Sequence, residues 1–215
     1  MDLPTIYAAI GFLLAAYAVI GNDAVQTLGT FIASNTRIFH WGILWGAASL
    51  ILAATLTYGW YINDGDISFG RLEKIPPIEI QWYHAAAPAV LVLLTRIGIP
   101  VSTTFLVLST FASTLVLEKM LVKSVIGYGM AAIVAYILWL VVARVINEKY
   151  DKVKTEHRAF WRTLQWLSTG FLWYSWLSHD MANIAVFLPR QLSPELLIGV
   201  IAFLCAALGY IFWSQ

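Results

Sequence analysis

This sequence predicts an all-α, polytopic membrane protein, and three observations carry the prediction. The 215 residues are 60% hydrophobic and only 12% charged, about half the charge of an average soluble domain. Mean hydropathy is +0.75. The apolar residues gather into about seven segments rather than alternating as half-buried strands would. The formal net charge of +1, with no basic stripe, argues against a nucleic-acid partner and leaves membrane lipid as the surroundings.

The first apolar segment is Thr5–Ile20. It is preceded by Asp2 instead of a basic stretch, so Ala16-Tyr17-Ala18 is not read as a signal-cleavage site. Trp41–Tyr61, Ile80–Leu94, Thr103–Leu117, Ser124–Val145, Phe160–Leu177 and Leu196–Trp213 follow. Crossing roughly 30 Å of hydrocarbon takes about 20 helical residues. The second, fifth and seventh segments have that length. The first, third and fourth fall short and are expected to be broken or re-entrant helices, which survive only buried in protein or lining a cavity. Glu118 and Lys119 read as a solvated turn after the fourth segment. Trp41, Trp60, Tyr61, Trp82, Trp161 and Trp213 sit near segment ends, where aromatic rings favour the membrane interface. The single cysteine, Cys205, excludes an intrachain disulfide.

If all seven segments cross, Arg37, Arg96, Arg144, Lys149, Lys152, Lys154, Arg158 and Arg162 share one side. Arg71, Lys74, Lys119, Lys123 and Arg190 share the other. The positive-inside rule puts the larger group in the cytoplasm and the N-terminus outside, as expected of a plasma (inner) membrane protein.

Charge near the middle of a membrane costs roughly 2.5–3.5 kcal/mol on insertion scales. Nevertheless Ile20–Phe31 reads IGNDAVQTLGTF and Leu177–Leu188 reads LSHDMANIAVFL, 157 residues on. Asp23 aligns with Asp180, Asn22 with His179, and Gln26 with Asn183. Five crossings separate the two points, and an odd number inverts the second copy relative to the first. Inverted-topology repeats with broken helices are the recurrent plan of secondary transporters. The expected division is 1–145 for the first repeat, 146–159 for a charged cytoplasmic loop, and 160–215 for the start of the second repeat. A third element spans Gly98-Ile99-Pro100-Val101-Ser102-Thr103-Thr104-Phe105. Pro100 lacks an N–H and biases Ile99 out of the α region. A helix is therefore expected to begin here, with Ser102 or Thr103 as N-cap and its N-terminus a cradle for an anion.

These elements resemble those of the inorganic phosphate transporters of the PiT type. That family repeats a G-x-N-D-x-A-N element once per inverted half and carries a G-x-P-v-S-T-T-H element. The copies here read Gly21-Asn22-Asp23-Ala24-Val25-Gln26 and Ser178-His179-Asp180-Met181-Ala182-Asn183. Gln26-Thr27 stands where the family usually has Asn-Ala, His179 replaces an asparagine, and Phe105 replaces the histidine. The resemblance implies secondary active transport of inorganic phosphate, or of a related oxyanion such as sulfate, and no enzymatic activity. Substrate contacts are expected from Asp23, Ser102, Thr103, Thr104, Asp180 and Asn183. Asn22, Asp23, Gln26, His179 and Asp180 are expected to hold the coupling ion.

A carboxylate and a phosphate repel strongly in low dielectric, so a cation must intervene. Sodium or a proton would make anion binding possible, and that coupling needs no other cofactor and no resident metal beyond sodium. The proton that phosphate retains near neutral pH can be donated to a carboxylate; sulfate lacks it. A homo-oligomer is compatible with all of this. By the same offset a second Ser-Thr-Thr element is expected near residue 257, beyond Gln215, so the chain is expected to be part of a longer protein or to receive the missing half-site from another chain. Two other classes compete. An intramembrane aspartyl protease wants Tyr-Asp and Gly-x-Gly-Asp, whereas the contexts here are Gly-Asn-Asp and Ser-His-Asp. A membrane scaffold subunit would use the same polar residues only to pack helices.

Overall fold

The structure, a computed structural model, describes residues 2–97, 101–146 and 158–214. Lys149, Lys152 and Lys154 of the charged loop, and Gly98-Ile99-Pro100 of the third element, lie outside the described residues.

Within them the chain is helical and contains no strand. The elements are α1 (Leu3–Asn35), α2 (Trp41–Ile62), a 3-10 turn (Arg71–Lys74), α3 (Trp82–Arg96), α4 (Thr103–Leu108), α5 (Thr114–Ile146), α6 (Arg158–Asp180), α7 (Ala182–Ala185) and α8 (Pro194–Ser214). Helices α1, α2, α5 and α8 are long and apolar enough to cross a membrane by length and composition.

Two expectations about segments are corrected. The first segment is not short: α1 runs for 33 residues, straight through Asn22 and Asp23. No proline follows Pro4 within it, and polar residues stay in a helix when their face is buried among partners. Continuous hydrophobicity understated its length; the 3.6-residue period continues past Ile20, burying Ala24, Leu28, Phe31 and Ile32. The fourth segment, in turn, is divided. Helix α4 has six residues, and Glu118 and Lys119 belong to the beginning of α5 instead of a turn. Helix α3 is short, as expected, with Pro88 inside its 15 residues.

The described residues form two compact units, Met1–Ala112 with Gln165–Gln215, and Ser113–Leu164. In the first, α1 packs against α3, α4, α7 and α8, and α2 packs against α8. Ala15, Ala16, Ala18 and Ala24 are buried along α1, and their small side chains let neighbouring backbones approach. Trp45, Trp60 and Trp173 donate their indole N–H to the carbonyls of Cys205 (2.8 Å), Leu192 (2.8 Å) and Ala48 (3.2 Å). Trp60 is thus an internal tie, whereas Tyr61, Trp82, Trp161 and Trp213 are exposed. The second unit is dominated by α5, which exposes apolar side chains from Leu115 to Val142, the composition of a surface that faces lipid.

Gly11 marks a tight crossing. A Cβ there would collide with the ring of Phe187, which meets Phe111 edge-on at 5.3 Å. Phe111 in turn stacks on His84 at 4.4 Å. Gly11→Ala is expected to cost about 1–3 kcal/mol by overpacking, read as a lower unfolding temperature in detergent. An unchanged temperature would mean that the ring has room to swing aside.

The connection from α2 to α3 is heavily tied down. Asp66 accepts from Ser68 N (2.7 Å), Ser68 Oγ (2.6 Å) and Gly70 N (3.2 Å). Phe69 holds a positive φ of 56°, rare for a bulky residue, with its ring over the bare Cα of Gly59. Leu192 N donates to Gly65 O at 3.0 Å. Arg190 donates to the carbonyls of Ile75 (2.8 Å) and Leu72 (3.4 Å). Burial pulls the Arg190 guanidinium below the ordinary arginine value, and the charge of Asp66 acts against that shift.

Candidate functional site

Both acidic motifs and the Ser-Thr-Thr element meet in the first unit. On α1 the helical period buries Asn22, Asp23 and Thr27 together. Asn22 Nδ2 donates to Asp23 Oδ1 at 2.9 Å and to the Val101 carbonyl at 3.4 Å, which links the first motif to the third. Thr27 donates its hydroxyl to the Asp23 backbone carbonyl. Gln26 is exposed on α1 and is not brought to this cluster; the buried place one position on belongs to Thr27.

The second motif sits at a helix break. Helix α6 ends at Asp180, Met181 interrupts it, and α7 starts at Ala182. Thr104 Oγ1 donates to Asp180 Oδ1 at 2.9 Å. Asn183 Nδ2 lies 3.3 Å from the same oxygen, 3.2 Å from Thr103 Oγ1 and 3.1 Å from Thr104 Oγ1. Ser102 is the N-cap of α4, accepting from Phe105 N at 3.2 Å. The anion cradle expected at this helix start is reduced, because six residues make less than two turns and little dipole. Hydroxyl donors remain there instead.

The contact of Asn22 with Val101 and that of Thr104 with Asp180 bring both aspartates to the start of α4. Asp23 is 2% exposed and Asp180 8%. Asp23 Oδ2 and Asn183 Oδ1 are both buried with no donor. The indole N–H of Trp176 is also buried without an acceptor. An unsatisfied buried acceptor costs about 1–3 kcal/mol, and two in one cluster suit a site that receives a cation or a proton.

His179 is exposed beside Asp180 and is met by Arg71, whose guanidinium donates to the imidazole ring. A ring that accepts from a guanidinium is neutral. Burial lowers the Arg71 guanidinium from its ordinary value, while the nearby Asp180 charge raises it. Sequence reasoning counted Arg71 only as a loop charge, since nothing in its neighbourhood marks it as belonging to a motif.

Helices α1 and α6 also touch far from the aspartates. Asn35 Nδ2 lies 3.2 Å from Gln165 Oε1, Gln165 Nε2 donates to Ser34 Oγ at 2.7 Å, and Trp166 Nε1 donates to Asn35 Oδ1 at 3.1 Å. Phe31 packs edge-on to Trp166 at 5.0 Å. As residue numbers rise from Asp23 to Asn35 on α1, their partners fall from Asp180 to Gln165 on α6. The two helices therefore run antiparallel, with a satisfied polar network at one end and an unsatisfied one at the other.

Comparison of the chain with protein-family models, curated proteins and solved structures finds no match.

Proposed function

We propose that this chain is a secondary active transporter of inorganic phosphate, coupled to sodium or protons by alternating access. The observation that carries the reading is the convergence of Asp23, Asp180, Asn183, Thr103 and Thr104 in one buried cluster with two orphan oxygens. Lipid would not tolerate such a cluster without ligands. The antiparallel course of α1 and α6, each bringing one aspartate, supports an inverted repeat of the PiT kind. The reading keeps the N-terminus outside and the basic stretch from Arg144 to Arg162 in the cytoplasm of a plasma (inner) membrane protein.

The cation and the anion bind together because neither charge is stable there alone. A coupling cation takes the orphan oxygens, and the Ser102 and Thr103 hydroxyls keep their O–H to donate to the anion, while Thr104, whose O–H goes to Asp180, would have to turn away from that carboxyl to join them. A carboxylate accepts the proton that hydrogen phosphate retains, which sets phosphate above sulfate. A non-transporting scaffold subunit is the second reading. It is favoured by Asp180 Oδ1, which already receives Thr104 and Asn183, the pattern of helix-packing glue.

The deciding experiment is uptake of labelled phosphate by proteoliposomes under an inward sodium gradient and, separately, an inward proton gradient. Uptake above protein-free vesicles, competed more weakly by sulfate than by unlabelled phosphate, is expected. Stronger competition by sulfate would shift the substrate to that anion. No uptake, with no rise in unfolding temperature when sodium and phosphate are added, would leave the scaffold reading, since a ligand of the folded state must raise it.

A further inference from the structure

The surroundings of the two aspartates differ. His179, next in sequence to Asp180, is met by the Arg71 guanidinium, whereas the neighbour of Asp23 in the first motif is the neutral amide of Asn22. Arg71 reaches the edge of the cluster from the 3-10 turn and donates to His179, one residue before Asp180. On the Asp23 side, the direct hydrogen bond comes from a neutral amide, Asn22, and Oδ2 stays without a donor. We propose that Arg71 is an anion-binding residue of the transport site, and that its fixed charge takes the place of one mobile cation beside Asp180. The inference rests on the transport reading above and goes past it to which residue meets the anion and how many cations must enter.

The chemistry is specific. A guanidinium offers five N–H donors in a planar fork that matches two oxygens of a tetrahedral oxyanion. His179 is neutral where it accepts from Arg71, so it holds the fork without adding charge. The imidazole is therefore a positioning residue and the guanidinium the binding one. Thr104 and Asn183 already donate to Asp180 Oδ1, so that carboxyl is stabilised by neutral donors. Asp23, with an orphan oxygen, remains the place where an entering sodium ion or proton is needed.

Arg71 does not owe its position to the histidine alone. The loop that bears it is fixed by Asp66 on Ser68 and Gly70, by Arg190 on Leu72 and Ile75, and by the Phe69 ring on Gly59. Removing the Arg71 charge should therefore leave the loop in place.

The test is phosphate uptake in proteoliposomes by the whole chain and by Arg71→Gln and Arg71→Lys, each at several sodium concentrations. Arg71→Gln is expected to raise the KM for phosphate about tenfold or more, the loss of a charge-assisted contact, with a smaller change in kcat. Its sodium dependence should become steeper, because a mobile cation must now replace the fixed one. Arg71→Lys, which keeps the charge without the fork, should recover the wild-type sodium dependence and only part of the affinity. A purely structural arginine would lower the unfolding temperature and the yield without steepening the sodium curve, and that result overturns the proposal. So does an Arg71→Gln protein with wild-type KM and sodium dependence. If Arg71→Gln does not fold, the Arg71→Lys protein decides: unchanged KM overturns the idea, a raised KM with unchanged sodium dependence upholds it. Wild-type protein that takes up neither phosphate nor sulfate would sink the transport reading itself, a failure seen before any variant is measured.

Discussion

Asp23→Asn is expected to abolish phosphate uptake while leaving the protein as stable as the wild type, or more so. The two side chains have nearly the same shape, and an amide oxygen can keep the 2.9 Å contact with Asn22. What disappears is the capacity to carry a negative charge at a site 2% exposed. A buried ionisable group without a full set of partners lowers stability, so neutralising it should hold or raise the unfolding temperature. Uptake should fall to the level of protein-free vesicles, because no cation is then drawn to the orphan oxygen. Unchanged uptake in the variant would refute the role of Asp23. A large loss of stability would make Asp23 a structural group and its buried charge a packing feature.

Asn183→Leu is expected to have the second-largest effect, and on both quantities at once. Its amide nitrogen lies within 3.3 Å of Thr103, Thr104 and Asp180, and leucine has a similar volume with no donor. Leaving a buried hydrogen-bonding group unsatisfied costs about 1–3 kcal/mol, which is about a tenfold to hundredfold effect if it falls on binding. Phosphate affinity should drop within that range, and the unfolding temperature should drop too. The matching control is Gln26→Leu. Gln26 occupies the equivalent place in the first motif, yet it is exposed, so its change should stay within about twofold, as surface changes do. Equal damage from both substitutions would mean that the alignment of motifs, and not burial, decides function.

Helical content, three of the four long apolar helices (α2, α5 and α8) and the two acidic motifs were legible in the sequence, because hydropathy and charge in an apolar run are local properties. Helix limits were less so. Apolar stretches measure exposure to lipid, and α1 passes through its polar residues because protein, not lipid, covers that face. A cap at Ser102 or Thr103 was legible from its place after Pro100, and the structure assigns it to Ser102; the hydrogen bond from Thr104 to Asp180 was not legible, because it joins residues 76 positions apart. Gln26 misled because sequence alignment cannot see the rotation of a helix, which buried Thr27 instead. Arg71 and the Asn35–Gln165–Trp166 network were hidden for a different reason. Each depends on a contact between residues more than one hundred positions apart, and no short pattern records such a meeting.

Asp23 rides inside a long strut, with Asn35 twelve residues further along the same helix, about 18 Å at the usual rise. Asp180 is the final residue of its own rod, and Met181, itself in helical conformation, joins that rod to the four-residue piece holding Asn183. An interruption after Asp180 makes the joint between α6 and α7 easier to bend than the unbroken turns around Asp23, so a movement there would carry Asn183 while α1, and α6 tied to it through Gln165 and Trp166, hold their places.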